Sequence, residues 1–246
     1  MLLLLPPSET KRDGGEDATA LDLAALSFPE LTAQRRAAIA ALRRVSRNVA
    51  EATAALGLGA TQRFEIDRNR ALTVSPTMPA LERYTGVLYD GIGTEALTQA
   101  ERAFAGEHLV IHSALFGPVL AGDPIPAYRC SHDSRLPGLS LRRHWRTAAS
   151  ASLAGHAGLV LDLRSEPYAA LGPAPQAVTI RVVSENGAGR RVAISHANKH
   201  AKGAFVGEVV RAGIVHESTD SLLAWAADRG IRLERATPGV LKLVEG

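Results

Sequence analysis

The chain has 246 residues, 46% hydrophobic and 22% charged, with 28 Lys and Arg against 25 Asp and Glu for a net charge of +3. That length buries a full core as one domain, and the composition excludes a disordered or low-complexity chain. A single cysteine, Cys130, rules out an intramolecular disulfide and a four-thiolate zinc site, and points to a reducing, cytoplasmic compartment. In chain order, Leu2 to Leu5 read as a buried strand stopped by Pro6 and Pro7. The run is too short for a signal-peptide core, and no apolar stretch nears the roughly 20 residues of a membrane span. Residues 11–29 form a polar, acidic loop. Residues 29–60 are helical in period with a break at Ser46-Arg47-Asn48, which predicts two helices joined by a short turn. Residues 61–79 read as irregular, and 80–105 as one or two helices divided at Gly91-Ile92-Gly93. A strand over 108–113, a turn-rich stretch over 117–138, a helix over 139–154 and a buried strand over 158–163 follow. Strands over 178–183 and 191–195 form a hairpin around Asn186-Gly187. Helices over 197–212 and 218–228, then a closing hairpin over 231–234 and 240–244, complete an α/β chain: a mixed sheet surrounded by helices, in a single domain over 1–246.

Basic residues are the main chemical signal. Residues 31–50 hold five arginines and no acidic residue. At about 100° per residue, Arg36, Arg43, Arg44 and Arg47 share one sector, opposite Leu31, Ala38, Ile39, Leu42 and Val45. Arginines so aligned repel one another, and a phosphate backbone relieves that repulsion; a solvated basic face balanced by acidic groups elsewhere is the plainer alternative. The segment from Arg181 to His216 holds six basic and two acidic residues. Within it, Lys199 and Lys202 open a helix, where free backbone N–H groups also favour anions. His196 and His200 are spaced for one metal, but no third ligand is in reach, so no metal or other cofactor is expected. Ser8 and Glu9 precede Lys11 directly after the first strand. Tyr128 and Arg129 lie on a proline-stiffened loop beside Cys130. Arg164 and Tyr168 follow the strand over 158–163, at a position common for ligands in α/β sheets. No nucleophile motif, Walker loop or dinucleotide fingerprint is present.

The blocks Pro-Pro-Ser-Glu-Thr-Lys11, Tyr84-Thr-Gly-Val-Leu-Tyr-Asp-Gly91, Ser113-Ala-Leu-Phe-Gly117, Asp123-Pro-Ile-Pro126, Tyr128-Arg129, Leu161-Asp-Leu-Arg-Ser-Glu-Pro-Tyr168 and Lys199-His-Ala-Lys-Gly203 occur in an order that resembles the YaaA peroxide-stress family of bacteria. The resemblance spans nearly the whole chain. It implies a cytosolic protein of the peroxide and oxidative stress response that binds DNA; a monomer acting on duplex or distorted DNA is expected. The implied means are a helix-hairpin-helix-like element, placed at the helix pair around Ser46-Arg47-Asn48, and a positive cleft. Lys11, Arg129, Lys199 and Lys202 are expected to line that cleft, with Ser8, Glu9, Tyr84, Tyr89, Asp90, Tyr128, Arg164 and Tyr168 as further candidates. An enzyme acting on a nucleobase, nucleoside or damaged DNA in the same cleft stays open, as does a redox role for Cys130 and the histidines; a lone thiol without a resolving partner argues against the latter.

Overall fold

The four leucines at the start of the chain form the centre of the molecule. In the computed structural model, which describes residues 1–16, 19–185, 191–192 and 195–245, β1 (Leu2–Leu5) pairs in parallel with strands on both sides. Alternate side chains point to opposite faces, so Leu3 and Leu5 join one apolar cluster while Leu2 and Leu4 join the other. A strand apolar at every position is what burial on both faces requires.

The remaining strands are β2 (Met78–Pro79), β3 (Leu109–Ser113), β4 (Gly117–Leu120), β5 (Pro124–Ile125), β6 (Val160–Asp162), β7 (Val178–Glu185), β8 (Arg191–Val192), β9 (Leu233–Thr237) and β10 (Val240–Glu245). The main sheet runs β4-β3-β1-β6-β7-β10-β9, with β8 on β7. Its five inner strands are parallel, while β4, β8 and β9 are antiparallel to their neighbours. β2 and β5 make a separate antiparallel pair. The helices are α1 (Thr32–Val45), α2 (Val49–Leu56), α3 (Phe64–Ala71), α4 (Ala80–Arg83), α5 (Val87–Ile92), α6 (Gln99–His108), α7 (Leu141–Ala154), α8 (Glu166–Ala169), α9 (Ser195–Ala212) and α10 (Thr219–Asp228). The mixed α/β architecture expected from the sequence is the one found.

The expected break between α1 and α2 falls at residues 46–48, where the Asn48 side chain caps α2 by accepting from the N–H groups of Ala50 and Glu51. Two expectations need correction. Residues 61–79 are not irregular throughout, because they contain α3. That helix buries only Glu65, Ile66 and Asn69, so it has no apolar stripe to betray it. It is held instead by Glu65–Arg68 and Asp67–Arg70 pairs one turn apart. Residues 117–138 contain β4 and β5 as well as turns. Pro118 is tolerated because β4 is an edge strand. The Asn186-Gly187 turn lies outside the described residues.

Candidate functional site

From β1 the chain moves to β3 on one side and later to β6 on the other. The sheet therefore reverses its winding at β1, and parallel strands leave a crevice beyond their carboxyl ends at such a point. The segment leaving β1 there carries Ser8, Glu9 and Lys11. It is stitched to the segment after α4: Arg12 N–H donates to Arg83 O at 2.9 Å, Thr85 N–H to Thr10 O at 3.2 Å, and the Thr10 hydroxyl to Thr85 O at 3.1 Å. The Ser8 hydroxyl lies 3.1 Å from that of Thr10. Arg83, wholly buried, anchors this arrangement by donating to the carbonyls of Ile125, Arg12, Gly14 and Pro76.

Lys11 is buried. Its ammonium donates to Ser8 O at 3.0 Å and Glu9 O at 3.2 Å, and sits 4.2 Å from the Tyr128 ring centroid and 5.4 Å from that of Tyr84. Burial lowers its pKa to about 7, with Arg129 pushing the same way against the opposing charge of Glu65. The two tyrosines belong to a chain of hydroxyls. Ser113 Oγ lies 2.6 Å from Tyr128 OH, which lies 2.7 Å from Tyr84 OH. Ser113 Oγ already accepts from the N–H groups of Leu115 and Phe116, so both its lone pairs are used. It must then donate to Tyr128, and Tyr128 to Tyr84, which leaves the Tyr84 proton without an acceptor in this relay among the described residues. Burial raises both phenols, Tyr84 to about 12, so they remain protonated.

Arg129 is 7% exposed. Its backbone is clamped by Asn69 of α3, which accepts from Arg129 N–H at 2.8 Å and donates to Arg129 O at 2.9 Å. One guanidinium nitrogen donates to the Glu9 carboxylate at 2.8 Å, while the buried Nε has no partner among the described residues. Tyr89 donates to Pro6 O at 2.9 Å, and Tyr168 meets His132 edge to face. Lys202 donates to Leu163 O at 2.8 Å, just past β6, and burial lowers its pKa. Thus Ser8, Glu9, Lys11, Tyr84, Tyr89, Tyr128, Arg129, Tyr168 and Lys202 are tied to the segments that leave β1 and β6 at one end of the sheet.

The other candidates fall elsewhere. Asp90 and Lys199 are exposed on α5 and α9. Arg164 is spent inside the protein: its guanidinium donates to Asp162, to Gly172 O at 2.9 Å and to His112 Nδ1 at 2.7 Å. Burial, with Arg164 beside it, holds His112 well below its ordinary pKa, so the ring is neutral and accepts at Nδ1. The Cys130 thiol is buried and pushed up to about 12 by that burial. The His196 side chain lies outside the described residues, so the His196–His200 pair is not described.

Arg36, Arg43 and Arg44 are exposed on α1 and Arg47 in the turn after it, and three of the four, Arg43, Arg44 and Arg47, meet Arg70 of α3 around an open depression of about 370 Å³. Sequence reasoning missed Arg35, which is buried and donates to Phe116 O, Ser27 O and Pro118 O. Its phase was a signal: Arg35 falls between Leu31 and Ala38 on the stripe that enters the core. Ser113, Asn69 and Arg83 were missed because their partners are distant in sequence.

The fold and site together define a mixed α/β protein with a mostly parallel sheet and with buried cations and phenols gathered where the strand order reverses. Comparison with known proteins names the family. Residues 1–231 match the peroxide stress protein YaaA family, and the chain belongs to it. A UPF0246 protein of Corynebacterium efficiens is 48% identical over 208 residues, covering 82% of each chain. One of Streptomyces coelicolor is 39% identical over 247 residues, covering 97% of this chain and 94% of its own. Among the described residues no helix is long and apolar enough to cross a membrane.

Proposed function

We propose that this member of the peroxide-stress family acts in the cytoplasm as a monomer that binds duplex or distorted DNA through its phosphate backbone. The binding face is the arginine row of α1, with the α1–α2 turn serving as the helix-hairpin-helix-like element. One observation carries this reading. Arg36, Arg43, Arg44 and Arg47 have no ion pair among the described residues, whereas Arg12, Arg68, Arg70, Arg102, Arg211 and Arg235 are each paired with a carboxylate. Arg63 and Arg135 are also exposed without an ion pair among the described residues, but they stand singly; four together on one face are open to an external polyanion. Helix α7, whose His144 lies 2.9 Å from Gln34 O of α1, adds Arg142, Arg143 and Arg146, exposed and likewise without an ion pair among the described residues. No base-reading element accompanies them, so binding is expected to be largely independent of sequence.

Duplex affinity measured by fluorescence anisotropy tests this. If the four α1 arginines each neutralise one phosphate, affinity falls roughly a hundredfold between about 50 and about 200 mM salt. Reversing Arg43→Glu with Arg44→Glu lowers affinity at least about tenfold and leaves thermal stability nearly unchanged, since both side chains are exposed. An affinity indifferent to salt would sink the reading.

A further inference from the structure

The cluster at the end of β1 contains more hydrogen-bond donors than acceptors. Among the described residues three donor groups face no acceptor of their own: the buried Nε of Arg129, the Tyr84 hydroxyl at the free end of the Ser113–Tyr128–Tyr84 chain, and the third proton of the Lys11 ammonium, which has only a ring face beneath it. Lys11 and Arg129 are near enough to repel each other, and Glu65, the other carboxylate that acts on Lys11, is bound by Arg68. Buried cations whose donors are only partly matched are costly, and a group nine-tenths buried with an unmatched donor is a place where an acceptor belongs. The acceptor now present is the Glu9 carboxylate. It reaches Arg129 through a single guanidinium nitrogen, although an arginine can present two, and its side chain is 61% exposed. The same residue's backbone carbonyl takes a bond from Lys11. Glu9 is thus a half-fitted anion at the mouth of a site that has room in its bonding pattern for a better one.

We propose that Lys11, Arg129 and Tyr84 form a binding site for a small oxyanion-bearing ligand, a phosphate or carboxylate, and that the Glu9 side chain is an internal stand-in displaced when the ligand binds. The ligand takes the second edge of the Arg129 guanidinium and the Tyr84 proton, while Glu9, already largely in solvent, swings out with little loss of packing. The site is separate from the arginine row of α1. It lies at the sheet's strand reversal and is enclosed by side chains, not laid open along a helix.

The test is calorimetric titration of the full chain with sodium phosphate and, separately, sodium acetate, at constant ionic strength. The site predicts saturation near one equivalent by one of the two. Phosphate alone identifies a phosphate ligand and acetate alone a carboxylate. Glu9→Gln, at an exposed position that folding tolerates, removes the internal competitor and tightens binding about fivefold, the equivalent of losing a pair worth about 1 kcal/mol. Arg129→Gln weakens binding at least about tenfold. A Glu9 that merely braces the loop predicts the opposite sign, a variant that binds no better or worse. Absence of saturable binding by either anion in both parent and Glu9→Gln overturns the proposal. So does release of the bound anion by saturating duplex DNA, which would make the cluster part of a nucleic-acid track.

Discussion

Lys11 is in a position few lysines occupy, sealed among carbonyls and phenol rings with a pKa near 7. In the unfolded chain it titrates near 10.5. Between those values the unfolded chain holds more protons than the folded one, so stability rises with pH through that window and the contribution is lost as pH falls towards 7. In Lys11→Met the slope is absent. The stability of the parent relative to the variant should therefore grow from pH 7 to pH 9 by on the order of 1 kcal/mol per pH unit, read from urea midpoints. A difference flat with pH would mean that the ammonium stays ionised through folding. Cys130, by contrast, has no such availability: a buried thiol held near 12 supplies almost no thiolate at neutral pH, which argues against a redox role.

Helices α5 and α9 cross at backbone contact. A methyl group built on Gly203 would lie 2.0 Å from Leu88 O, and one on Gly91 would lie 2.6 Å from His200 O. This crossing sets Tyr89 and Lys202 beside the strand ends. Gly203→Ala should cost about 3 kcal/mol or more, because the obstructing atom is backbone and cannot turn aside. Gly106→Ala in α6 meets nothing within 4 Å and should stabilise by about 0.5–1 kcal/mol. Denaturant midpoints of the two variants moving in the same direction would refute the packing argument. The crossing also shows where sequence reading stops. The leucine run of β1 and the α1 stripe were legible because burial imposes a period on neighbouring residues. Gly91 reads from sequence only as a helix divider, since nothing near it names Gly203. Likewise α3 has no apolar stripe, and its Asn69 clamp on Arg129 joins residues 60 positions apart. Lys11, Tyr84, Tyr128 and Arg129 were recognisable as a set through family resemblance. Their hydroxyl relay through Ser113 was not, because hydrogen-bond direction is a property of the assembled site.

The whole molecule is organised around a strand that sits at its beginning. β1 has a parallel neighbour on each side and contributes to the apolar clusters on both faces of the sheet. Its amides should exchange with solvent only through global unfolding, while those of the edge strand β9 exchange through local opening; native-state hydrogen exchange reads this directly. Amides of β1 exchanging as fast as those of β9 would contradict the topology. During synthesis the same arrangement imposes a wait. Leu3 pairs with Leu109 on one side and Leu161 on the other, so the run Leu2–Leu5 leaves the ribosome roughly a hundred residues before its first partner. At roughly 5–20 residues per second that is about 5–20 s with four leucines unsheltered. Pro6 and Pro7 at the end of the run, unable to extend a pairing ladder, limit what those leucines can join in the meantime.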